Sequence, residues 1–129
     1  MALSNHKVRT KGMNKSNFPK QHLEGQCIIQ IRFNRYCIDF VFSNDIVLQI
    51  SCKLSYYDKQ GRLLSHWNDH NDMNFFMNQL LEVPVDLIQS DVNALKIVFD
   101  NQESLLLESN HDGDEAFTIF MKDEVRDFF

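Results

Sequence analysis

The chain is short of the residues that most known chemistries need. It has four glycines in 129 residues, at positions 12, 25, 61 and 113, none in a spacing that could cradle a phosphate. No Gly-x-Ser-x-Gly elbow is present. The three cysteines, Cys27, Cys37 and Cys52, are an odd number, form no Cys-x-x-Cys pair and stand inside apolar runs, so they read as reduced core thiols. No run of 18 apolar residues exists, which excludes a membrane-spanning helix. Residues 1–22 lack the apolar segment of a secretory signal. Together these absences predict a cytoplasmic bacterial protein that is not an enzyme.

Charge is uneven. Lys7, Arg9, Lys11, Lys15 and Lys20 give residues 1–22 five positive charges and no acid. Taking these five from the 13 basic residues leaves eight, against 18 acids, in residues 23–129. The first segment therefore reads as a flexible basic arm, and the rest as one acidic domain that repels nucleic acid and anionic membranes and attracts a basic partner. Five dispersed cations without aromatics make a poor nucleic-acid site.

What is present is alternation. Ile38, Phe40 and Phe42 share one parity, and beyond Ser43-Asn44-Asp45 the pattern resumes at Ile46, Leu48, Ile50, Cys52 and Leu54. Such a pattern predicts a β-hairpin with one buried face, Asn44 or Asp45 taking positive φ. It recurs 57 positions later, with Leu95, Ile97 and Phe99 before the turn and Leu105 and Leu107 after it. Over 23–51 against 80–108, six of 29 positions are identical. The fold class expected is mainly β (α+β): two repeated antiparallel β-hairpin units forming a small sandwich or half-barrel, with one short helix between the halves. Repeat 1 spans about 23–54, a loop and helix 55–81, and repeat 2 about 82–121. The helix rests on Asp72 as N-cap and on the stripe Met73, Phe76, Met77, Leu80 and Leu81, ended by Pro84. Ala116–Met121 reads as the last strand and 122–129 as a short helix or coil.

Constellations for chemistry are thin. Glu108, Asn110, Asp112, Gly113 and Asp114 resemble part of a calcium loop, but Ile119 stands where its bidentate Glu belongs. His66 and His70, near Asp69 and Asp72, have no third ligand. No metal or other cofactor is expected. The remaining signal is an interface: Asp112, Asp114, Glu115, Asp123, Glu124 and Asp127 supply acids, with Trp67 and Tyr57 as aromatic anchors. An alternative is a small-molecule or enzymatic pocket between the halves, lined by Tyr36, Cys52, Trp67 or His66. A structural homo-oligomer subunit is a third possibility.

Leu23 and Gly25 before a strand, Phe42-x-Asn44 in a hairpin, Leu80-Leu81 before Val85, Phe99-Asp100-Asn101 in a second hairpin, and Glu115-Ala116-Phe117 before a final strand carry a resemblance over about 23–121. The chain is similar to families of small duplicated bacterial β proteins, some encoded beside polymorphic or contact-dependent toxins as their immunity proteins. The resemblance implies a toxin inhibitor acting by protein–protein interaction, with a basic, nuclease-type toxin domain as partner.

Overall fold

The computed structural model describes residues 8–67, 78–91, 94–109 and 116–128. The alternating run forms the expected hairpin. Its strands are Ile38–Phe42 (β3) and Val47–Ile50 (β4), with Phe40 opposite Leu48 and Ile38 opposite Ile50. Ile38, Phe40, Phe42, Leu48 and Ile50 all point into the core. Asp45 takes φ 69° in the turn, whose Asn44 side chain accepts from the Ile46 N–H. The strand Ile28–Phe33 (β2) flanks β3, with a bulge between Ile28 and Gln30.

A second set of three strands follows 57 residues on. Val85–Ser90 (β7), Ala94–Phe99 (β8) and Ser104–Glu108 (β9) pair in the same order. Ile97 faces Leu105, Leu95 faces Leu107, and the bulge falls between Val85 and Leu87. Gln102 takes φ 70°, and Asn101 accepts from the Glu103 N–H. The two sets touch at their starts, where Cys27 bridges Pro84. There the Gly25 N–H donates to the Val85 carbonyl and the Glu82 N–H to the Ile28 carbonyl.

Between these sets the chain departs from the reading as loop and helix. Lys53–Tyr57 (β5) and Leu63–Trp67 (β6) form a hairpin turning at Asp58–Arg62. Its pattern is hard to see in sequence because an extra residue in β6, Leu64, opposite the Tyr56–Tyr57 step breaks the side-chain parity of that strand. The break at Ser51–Cys52 also interrupts the continuous strand expected through Leu54, and β5 joins β9 in the other sheet, with Leu54 opposite Leu107. The expected helix falls mostly on residues 68–77, outside the described residues. Its end, Asn78–Leu80, is one 3-10 turn, and no α-helix occurs among the described residues.

The C-terminal segment makes the reciprocal move. Phe117–Phe120 (β10) pairs with β4, placing Phe117 opposite Ile50, and is followed by Glu124–Phe128 (β11) in place of a helix or coil. Each sheet therefore contains three strands from one half and a hairpin from the other, rather than one sheet per half. The sheets run β11-β10-β4-β3-β2 and β6-β5-β9-β8-β7, without closing into a barrel. Their inward side chains form one hydrophobic cluster that includes Phe42, Phe99, Leu54, Tyr56 and Trp67.

Residues 8–22 also differ from a free arm. Val8–Met13 (β1) extends the first sheet to six strands, running parallel to β11 with Arg9 beside Val125. Two 3-10 turns follow, with Phe18 buried on Phe117 and Phe128 at centroid distances of 5.7 and 5.4 Å. The segment is held by partners 100 residues away, which no local periodicity reveals.

Candidate partner-binding surfaces

Strand β2 ends the six-stranded sheet. Its bulge turns Ile29 out of the ladder, leaving it 51% exposed, and Phe33 and Tyr36 farther along are 37% and 65% exposed. Of the five large apolar side chains exposed among the described residues, three thus lie on this strand and its turn. Arg32 and Arg35 accompany them, and the Arg35 guanidinium stands 5.2 Å from the Tyr36 ring centroid. The matching edge, β7, carries exposed Asp86, Gln89 and Asp91 and has no exposed large apolar group. One edge is apolar and cationic, the other acidic and polar.

The outer face of the second sheet offers a different surface. A depression of about 470 Å³ is lined by Lys53, Ser55, Tyr57, Leu63 and His66. Tyr57 also borders a neighbouring hollow of about 250 Å³, with Gly61, Lys96, Ser104 and Leu106. Both are open. Ser55 lies opposite His66 and Leu106 in the ladder, which fixes the row from which these groups project.

Of the acids expected to form an interface, Asp123, Glu124 and Asp127 are among the described residues. Asp112, Asp114 and Glu115 lie outside the described residues. Asp123 is exposed in the β10–β11 turn and lines a groove of about 270 Å³ with His22, Asn44, Ile46, Met121, Lys122 and Glu124. Glu124 accepts from both Nε and Nη2 of Arg126, at 2.9 and 2.7 Å, and these bonds hold its carboxyl below the usual range.

Asp127 is not a surface acid. Its side chain is 0% exposed and takes Arg9 Nε and Nη2 at 2.8 and 2.9 Å and the Thr118 hydroxyl at 2.6 Å. Trp67 is equally unavailable, being buried in the core, while Tyr57 is half-buried on the outer face of the opposite sheet.

The residues proposed to line a pocket between the halves are scattered too. Tyr36 is exposed in a turn, Trp67 faces the core and His66 faces outward. Cys52 sits beside Lys15, and burial pushes its thiol up to about 12. All three cysteines are free and half-buried, where full burial was expected. Sequence reasoning missed the β2 edge, although the apolar sequence Ile28-Ile29 interrupting an alternating strand was a visible sign of a bulge. No family model, curated protein or solved structure matches the chain.

Proposed function

We propose that this chain is a non-catalytic binding protein that engages a protein partner along the β2 edge. The observation that carries the reading is the gathering of Ile29, Phe33 and Tyr36, with Arg32 and Arg35, on one strand edge. Exposed edges are templates for added strands, and natural proteins usually blunt them with charge rather than load them with apolar groups. Aromatic and Arg side chains are the types that dominate interface energetics. An added partner strand would gain main-chain hydrogen bonds from β2 and bury these side chains.

The setting proposed is the one the family resemblance implies: inhibition of a toxin domain in the cytoplasm. The net charge of −5, with exposed Asp45, Asp86, Asp100 and Asp123, supports a partner that is basic overall and is steered in from a distance, while the segment that meets Arg32 and Arg35 at the edge is itself apolar or acidic. The same reading takes the chain as a duplicated β unit. In its support, strand registers, both bulges and the positive-φ pairs Gly25/Glu82 and Asp45/Gln102 repeat at an offset of 57.

The test is photo-crosslinking in the cells that make the protein, with a benzophenone amino acid at position 33 or, as control, at position 89 on the matching edge. A discrete heterologous adduct from position 33 and none from 89 is expected. Equal adducts from both positions, or a species of twice the chain's mass alone, would refute the proposal.

A further inference from the structure

Among the described residues, the slot that β1 fills along β11 has an unfilled counterpart along β6. Phe117 on β10 lies opposite both Ile50 and Phe128, and Leu54 on β5 lies opposite both Leu107 and Trp67. Ile50 and Leu107 hold the same place in the two sheets, so Phe117 corresponds to Leu54 and Phe128 to Trp67. By the same registers Thr118 corresponds to Ser55, Asp127 to His66 and β11 to β6. Beyond β11 the sheet continues into β1, whereas β6 is the edge of its sheet among the described residues.

The chemistry of the two slots is opposite in sign. In the filled slot the receiving strand offers a carboxylate, Asp127, and the incoming strand answers with Arg9. In the open slot His66 stands where Asp127 would be, and Lys53 shares its depression with Ser55, Tyr57 and Leu63. Leu63 is 54% exposed, an apolar side chain with nothing over it among the described residues. An incoming strand therefore meets the Lys53 ammonium, which has the Glu108 carboxylate 3.9 Å away with both side chains about half exposed, together with the His66 ring and an uncovered leucine.

We propose that the β6 edge is the docking site for an extended acidic peptide segment. The segment adds in parallel, as β1 does on β11, with a carboxylate at the place of Arg9 facing His66 and Lys53 and an apolar residue covering Leu63. Main-chain hydrogen bonds supply most of the attraction and the charge pair selects the segment. The proposal stands apart from the β2 edge and does not depend on it.

Two synthetic peptides test it by NMR titration of the full chain. One has the sequence of residues 6–14, which is basic, and the other is the same peptide carrying R9E and K11E. The acidic peptide is expected to shift the amides of Ser55 and Leu63–Trp67 saturably, and the basic one to leave them unmoved. Lys53→Glu with His66→Glu should weaken the acidic peptide about tenfold, in keeping with one partly exposed ion pair lost at Lys53, a hydrogen-bond donor lost at His66 and repulsion from the two added carboxylates. If these variants fail to fold, the location of the shifts in the wild-type chain decides. Equal response to both peptides, no shifts at Leu63–Trp67, or shifts confined to Ile28–Phe33 would overturn the proposal.

Discussion

Replacing Arg9 with alanine tests the most buried ionic contact described in the molecule. The Asp127 carboxylate is fully enclosed and has three donors, two of them on the Arg9 guanidinium. Removing Arg9 leaves the charge with the Thr118 hydroxyl alone. Breaking a wholly buried pair costs roughly 3–5 kcal/mol, because the remaining charge is uncompensated. Arg9 itself is 46% exposed, so water entering its place offsets part of that loss. A cost of about 2 kcal/mol follows, or about 8 °C in Tm for a chain of this size. Urea unfolding followed by tryptophan fluorescence measures it, since Trp67 is the sole tryptophan, lies in the other sheet and reports global loss of structure. Asp127→Asn should remove most of the penalty of Arg9→Ala, giving a coupling of about 1 kcal/mol or more in a double-mutant cycle. A change below about 0.5 kcal/mol for Arg9→Ala, with strictly additive double-mutant stability, would refute the claim that this pair anchors β1.

Two further predictions concern the backbone and a thiol. Glu82 and Gln102 hold φ of 67° and 70°, a conformation costing about 1–2 kcal/mol for an L-residue, against roughly 0.5–1 kcal/mol lost to glycine's freedom when unfolded. Glu82→Gly and Gln102→Gly should each stabilise the chain by about 0.5 kcal/mol in urea titrations, and Gly25→Glu should cost a similar amount. A loss of stability in either glycine variant would contradict the strain argument.

Burial raises the Cys52 thiol from about 9 to about 12, so its favourable term is complete below about pH 9 and lost as pH climbs toward 12. Cys52→Val should flatten that alkaline limb of the stability curve. Alkylation of Cys52 by iodoacetamide at pH 8, followed by mass spectrometry, should run about 30–60-fold slower than that of a free thiol. Alkylation at the free-thiol rate would show that the site is open.

Alternation made the two hairpins legible because each buries every second residue on both sides of its turn: Ile38, Phe40, Phe42, Leu48 and Ile50 in one, Leu95, Ile97, Phe99, Leu105 and Leu107 in the other. The hairpin β5–β6 was obscure for the opposite reason: Leu64 is an extra, unpaired residue in β6 between the partners of Tyr56 and Tyr57, so the parity of β6 changes in mid-strand. At the C-terminus, Asp127 looked like a solvated acid because its neutralising partner lies 118 positions away. The exchange of hairpins was likewise hidden, since nothing in Ser51-Cys52 marks a passage from one sheet to the other. Of the anticipated contact residues that are among the described ones, only Asp123, in a turn, kept the exposure that sequence suggested. The edges could not be read because solvent exposure there depends on which strand ends the sheet.

The exchanged hairpins also set an order on biosynthesis. Strand β4 is made early, yet its neighbour β10 emerges from the ribosome some 70 residues later, and β1 finds its place only after β11. The first half of a nascent chain is therefore left with an uncovered β4 flank and Phe40, Phe42 and Leu48 unshielded. Assembly is bound to be late and concerted, and the interval before β10 and β11 appear is when the growing polypeptide is most dependent on chaperones.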